Sequence, residues 1–188
     1  MRRLLPLALV LAACSQPATE EPKPTVQPLG QEHVKTPVTP PPPTPKIEGN
    51  PNRVYQLKDL RRVTLTVKGK PIQAWVMDTE PKNEEGMMFL EDKDVKPDEG
   101  MLFVFDTVQK KLNDDGSPRG FWMHNTLIPL DIVFMTTKGQ VLNVGHGKVQ
   151  DDTVVPSEGD FQYVLELKAG TAARLGLKAG DTVPIPKL

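Results

Sequence analysis

The sequence predicts a mainly β protein of the α+β class, a single barrel-like or sandwich domain of about seven short, mostly antiparallel strands with two short helices. Three observations lead to this fold class. Apolar and polar residues alternate in several short runs, turn-forming residues separate those runs, and only two short segments carry helix start and stop signals. The globular part covers residues 53–188, which is long enough to bury one core.

The first half of the domain is predicted to form a hairpin followed by a helix. Apolar residues alternate with polar ones over residues 63–67 and again over 72–76, and the turn signal Lys68-Gly69-Lys70 separates the two runs. Thr79 is placed to cap a short helix that ends near Gly86. This helix leads into an apolar stretch.

The second half is predicted to supply the remaining strands and the second helix. The continuous apolar run 101–105 suits a strand buried on both faces. Turn formers over 110–120 predict an exposed, mobile loop. Thr171 is placed to cap a short helix that extends through Leu175 and stops at Gly176. The other predicted strands are 121–123, 130–136, 140–144, 163–167 and a last one near 182–183.

The first 52 residues predict export and tethering. A basic start is followed by an apolar run, 4–11, that is too short to span a bilayer and ends in Leu11-Ala12-Ala13-Cys14, which matches a bacterial lipobox. We expect residues 1–13 to be a signal peptide and residues 14–52 to comprise the lipidated Cys14 and a disordered, proline-rich tether. The protein would then be an exported lipoprotein facing the periplasm or the cell surface, at the outer membrane where one exists.

Charge and cysteine content narrow the classes of partner. The net charge is −1, from 23 basic and 24 acidic residues, so no global field favours nucleic acid. Cys14 is the only cysteine, so no intrachain disulfide is expected. We expect a monomeric domain that needs no cofactor and meets the membrane through Cys14.

Three sequence blocks resemble the DUF192 family. They are Gly100–Phe105, the fourteen residues Phe121–Phe134, and Tyr163–Gly170, and the resemblance extends from about Val63 to Val183. It implies a compact mixed β domain that is often exported, and it supplies no reaction. The family pattern has an arginine where Glu85 stands and another at Leu90, and position 124, commonly lysine in the family, is histidine here.

The block from Trp122 to Asp131 contains the candidate binding residues, which are Trp122, His124, Asn125, Thr126 and Asp131. An aromatic plate, amide and hydroxyl groups and a carboxylate in one loop suit a carbohydrate or a cell-wall fragment. A structural role is the alternative. The polar side chains would then satisfy loop backbone groups, and Asp131 would cap a turn.

Two other functions remain open from the residues alone. An envelope hydrolase could pair His124 as a base with Asp131, or use two of the carboxylates Asp78, Glu84, Glu85 and Asp131, but no serine or cysteine nucleophile is evident. A copper protein could use the soft ligands Met77, Met87, Met88, Met101, Met123 and Met135 with His124 and His146. No Met-x-x-Met cluster supports copper, and the spacing predicts no metal ligand set. The sequence favours a binding or accessory role over catalysis.

Overall fold

The structure, a computed structural model, describes residues 49–188. The predicted signal peptide, Cys14 and nearly all of the predicted tether lie outside the described residues. The strands and α-helices follow in the order β1 (Arg62–Val67), β2 (Lys70–Met77), α1 (Glu80–Glu85), β3 (Glu99–Gln109), β4 (Gly120–Phe121), β5 (Leu130–Met135), β6 (Val141–Gly147), β7 (Val155–Pro156), β8 (Phe161–Lys168) and α2 (Thr171–Leu175). Short 3-10 helices cover Leu57–Asp59 and Asp92–Asp94. Within residues 49–188, every helix is too short or too polar to cross a membrane.

Six strands form one open, sandwich-like sheet in the order β1-β2-β3-β8-β5-β6, and β4 pairs with β7 in a small second sheet. All pairs are antiparallel except β2 with β3. The parallel pair follows from the chain between those strands, because α1 and its flanking loops carry the chain back to the starting end of the sheet. The mainly β class with two short helices is therefore confirmed.

The central strands are buried on both faces because their side chains alternate between two hydrophobic clusters. Phe103, Val164 and Phe134 form one cross-strand row, on the face covered by residues 86–95 and 121–128. The neighbouring row of Leu102, Leu165 and Val133 lies on the other face. That face is covered by α2 and the chain that follows it. Any charged side chain on these strands must therefore enter a packed interior.

Several sequence predictions are confirmed. The hairpin forms with its turn at Lys68 and Gly69, both at positive φ, and α1 begins after Thr79 and ends at Gly86. Thr79 occupies the N-cap position of α1 but its side chain makes no capping hydrogen bond, and the N-cap of α2 is Gly170 instead of the expected Thr171. The predicted strand 163–167 lies within β8. Gly176 ends α2 in the left-handed conformation at φ 69°.

Other predictions need correction. The strand expected over 121–123 ends at Phe121, because the Met123 N–H donates to the Asp151 carbonyl instead of a ladder partner. The last strand near 182–183 is reduced to an isolated bridge between Gln140 and Thr182. The loop 110–120 is largely exposed and is closed by a bridge between Leu112 and Pro118.

Candidate functional site

Backbone hydrogen bonds fix the loop that carries most of the candidate residues. The Thr126 N–H donates to the Met123 carbonyl at 3.0 Å, and the Thr126 carbonyl accepts from Gln150 N–H at 3.0 Å. Asn125 has a left-handed backbone with φ 53°, and its carbonyl accepts from the Phe89 N–H at 2.9 Å. Since Met123 is fully buried, the loop is anchored in the core at its centre. Its flanking side chains are therefore held in place.

Trp122 and His124 form a stacked pair on the surface. Their ring centroids are 5.0 Å apart with an interplanar angle of 21°. His124 Nδ1 lies 2.8 Å from an Asp152 carboxylate oxygen, which fixes the histidine ring in this position. Trp122 is 52% exposed, so a large part of the indole stays accessible although one neighbour is stacked on it. The pair is a rigid aromatic plate.

The structure does not bring Asp131 to this plate. Asp131 is buried on the opposite face of the sheet, where one carboxylate oxygen lies 3.1 Å from His146 Nδ1 and the other accepts the Ala172 N–H at 2.8 Å. It caps the first turn of α2 from a neighbouring strand. The base and carboxylate pair of His124 with Asp131 is therefore not formed.

Thr126 and Asn125 serve mainly to shape the loop. Thr126 is buried, and its hydroxyl donates to the His124 carbonyl at 3.3 Å. Asn125 is half-buried, in the left-handed conformation that asparagine adopts more readily than most residues. Of the five candidate residues, Trp122 and His124 alone have exposed side chains.

Trp122 lines a cleft of about 760 Å³, here called the α1 cleft, between α1 and the second half of β3. One side is aromatic, with Phe105, Phe121 and Phe161 in edge-to-face contact beside Trp122. The polar lining comes from Asp78, Glu80, Asn83, Glu84, Asp106, Thr107, Gln109, Asn113 and Arg119. A smaller cavity of about 530 Å³ is lined partly by Val54, Tyr55 and Met88 and shares Trp122 and Glu84 with the α1 cleft.

Two charged side chains in the α1 cleft, Asp78 and Arg119, have partners within the protein. Asp78 pairs with Lys82 at 2.7 Å and with Arg61 at 3.2 Å, and these partners, Lys82 first, hold its pKa below the usual range. Arg119 donates to amide oxygens of Asn113 and Gln109 at 2.9 and 2.8 Å. From the sequence, Asp78 was one of several candidate carboxylates, and Arg119 was not a candidate.

A buried ionic cluster beneath the smaller cavity was missed by the sequence analysis. The Arg53 side chain is 1% exposed, and its guanidinium lies 3.1 Å from a Glu85 carboxylate oxygen. It also donates to the carbonyls of Tyr55, Gly86 and Met88. Burial lowers the pKa of Arg53, and the nearby Glu85 opposes that shift. Arg53 fastens the segment 49–60, here called the N-terminal strap, to the end of α1.

Glu166 on β8 is the third member of this cluster. It is 4% exposed, and its Oε2 is buried without a hydrogen-bond partner among the described residues. Burial raises the pKa of Glu166 to about 8, against a weaker opposing attraction from Arg53. In the sequence, Glu166 is the one charged residue within the run 163–167. That pattern indicates a buried carboxyl only once both faces of the sheet are known to be covered.

The methionines expected as copper ligands pack in the core instead. Met77, Met87, Met101, Met123 and Met135 are buried in the two hydrophobic clusters, and Met88 is half-buried. In the described part of the chain, no three His, Cys, Asp or Glu side chains are grouped so that they could hold a metal ion. Met123 and His146 both line one small cavity, of about 250 Å³. Of the residues expected as copper ligands, only these two line that cavity.

Comparisons with known proteins agree with this fold. The DUF192 family model, described as Uncharacterized ACR, matches residues 63–185. A crystal structure of a protein of unknown function from Novosphingobium aromaticivorans is 31% identical, covers 71% of this chain and 91% of its own, and superposes with a TM-score of 0.58. One from Sinorhizobium meliloti, described as a candidate transcription regulator, is 30% identical, covers 65% and 90%, and has a TM-score of 0.55. No curated protein matches.

Proposed function

The chain belongs to the DUF192 family, which supplies no reaction. We propose that it is a lipid-anchored envelope protein whose domain binds a cell-wall carbohydrate in the α1 cleft. Catalysis is not part of the proposal. His124 pairs with Asp152 and Asp131 pairs with His146, so the pair of His124 with Asp131 that the hydrolase hypothesis required is not formed.

The accessible, immobilised Trp122 is the observation that carries the proposal. A sugar ring presents an apolar face that packs on an aromatic plate, while its hydroxyl groups need hydrogen-bond partners at the rim. The α1 cleft offers both, because the polar side chains of Asn83, Glu84 and Thr107 line it together with Trp122. Since His124 already holds the indole, little side-chain freedom is lost when a ligand binds.

Calorimetry with the N-acetylglucosamine tetramer tests the binding function. We expect measurable binding to the full-length protein, and loss of at least about tenfold in affinity in Trp122→Ala, because such aromatic anchors contribute more than 1 kcal/mol. Val149→Ala is the matched control, since it also truncates an exposed apolar side chain but lies outside the α1 cleft. Equal affinity in Trp122→Ala and the unchanged protein would exclude the plate as the binding surface.

The anchoring part of the proposal rests on sequence. Small residues precede Cys14, which is the only cysteine, and an apolar run of export-signal length precedes them. Acyl chains on Cys14 would hold the domain at a membrane beside the cell wall. Labelled fatty acid should be incorporated into the unchanged protein and not into Cys14→Ser. Label retained by Cys14→Ser would refute the anchor.

A further inference from the structure

The α1 cleft contains carboxylates that have no cationic partner among the described residues. Glu80, Glu84 and Asp106 form no ion pair within residues 49–188. Asn83 lines the same cleft, and its Oδ1 is buried without a donor in the described part of the chain. The cleft therefore presents unpaired negative charge.

The protein's own lysine and arginine side chains do not neutralise these carboxylates. Among the described residues that line the cleft, Arg119 is the only lysine or arginine, and two of its N–H groups already donate to Asn113 and Gln109. The nearby Lys82 is paired with Asp78. Three unpaired carboxylates thus face one arginine across a concave wall, where a low-dielectric boundary strengthens their field. The cleft attracts cations and repels anions.

Trp122 adds a second attraction for the same kind of group. The face of an indole ring attracts an ammonium ion more strongly than other aromatic side chains do. A ligand that packs a sugar ring on Trp122 and carries an ammonium beside the ring would satisfy the plate and the carboxylates together. A fully acetylated sugar would leave the carboxylates unpaired, and an acidic sugar would be repelled.

We propose that the α1 cleft is selective for glycans with free amino groups, its Trp122 plate holding the sugar ring while the carboxylates of Glu84 and Asp106 receive the ammonium. This inference rests on the proposed carbohydrate-binding function and specifies its ligand. Glu80 lies at the same wall and contributes to the field.

Paired calorimetric titrations of the full-length protein test the selectivity. The probes are the glucosamine tetramer and its N-acetylated counterpart, at a mildly acidic pH where the free amines are protonated. We expect the glucosamine tetramer to bind about five- to twentyfold more tightly. Added salt should reduce that advantage, because partly exposed charges are screened.

Two double variants assign the effect to the cleft. Glu84→Gln with Asp106→Asn should remove most of the preference for the glucosamine tetramer over its acetylated counterpart. The control is Glu158→Gln with Asp98→Asn, which removes one exposed Glu and one exposed Asp that have no ion pair within residues 49–188 and lie outside the cleft. It should keep the preference. Circular dichroism confirms that both variants fold.

The outcomes separate the inference from the function beneath it. Equal binding of the two tetramers would overturn the amine selectivity and leave carbohydrate binding intact. Binding of neither tetramer would overturn both. An equal loss in the cleft variant and the control variant would mean that general surface charge attracts the amine, and this too would overturn the proposed site.

Discussion

Replacing Glu166 with glutamine should stabilise the protein at neutral and alkaline pH and flatten the pH dependence of its stability. Glu166 lies in the packed face of β8, and its Oε2 has no hydrogen-bond partner within residues 49–188. Burial raises its pKa from 4.5 to about 8. Glutamine has nearly the same shape and stays neutral at every pH, so the substitution removes only the ionisation.

The sign and the size of the effect follow from proton binding. Below the unfolded pKa of 4.5 the carboxyl is neutral in both states, so the stabilising preference for the neutral form is fully present. Between 4.5 and about 8 the folded protein binds the proton more tightly, and stability falls as pH rises. One pKa unit corresponds to about 1.36 kcal/mol, so the loss across this window is on the order of a few kcal/mol.

Urea unfolding at about pH 5 and again at about pH 8 measures this difference, since most of the window lies between those conditions. Fluorescence of the buried Trp75 reports the transition. Taking the difference between the variant and the unchanged protein at each pH cancels the contributions of the histidines. We expect similar stabilities at the lower pH and a more stable variant at the higher one. Parallel curves for the two proteins would refute a neutral, buried Glu166.

Three further substitutions test other parts of the structure. Arg53→Met should lower the free energy of unfolding by about 3–5 kcal/mol, because it leaves Glu85 buried without its cation, and thermal unfolding should show a correspondingly lower Tm. An unchanged Tm would mean that the N-terminal strap does not stabilise the fold. Asp131→Ala should cost about 1–2 kcal/mol in urea unfolding by removing the acceptor at the first turn of α2, and a loss below about 0.3 kcal/mol would contradict that role. Gly120→Ala would bring a methyl group 2.0 Å from the Val155 carbonyl oxygen, so hydrogen exchange should reveal opening of the β4–β7 pair, and unchanged protection there would disprove the clash.

Local patterns in the sequence predicted the elements better than their partners. The hairpin and the stop of α2 at Gly176 depend on residues within a few positions of one another, and both are observed. The strand expected over 121–123 was shortened because Met123 bonds to Asp151, a tertiary contact outside the strand pattern. Strand order likewise depends on long-range packing, and the sequence left it open.

The candidate site was predicted in part for the same reason. Trp122 and His124 are two positions apart in the sequence, so their stacking is a nearly local event. Asp131 was assigned to that pair, but its position on β5 places it opposite His146 on β6, and this register depends on how two strands align. Arg53 and Glu166 come from opposite ends of the domain. No local sequence pattern around Arg53 or Glu166 predicts that the fold brings these two residues together.

The Arg53 anchor also determines how the domain responds to a pulling force. The described chain enters the domain through the N-terminal strap and then continues into β1, an edge strand whose first residue is Arg62. An edge strand pulled from its end peels from its neighbour one residue pair at a time, and this offers little resistance. Arg53 precedes β1 and holds Glu85 and three carbonyl groups together. Tension applied from the N-terminal side is therefore borne by several bonds at once before it reaches the sheet.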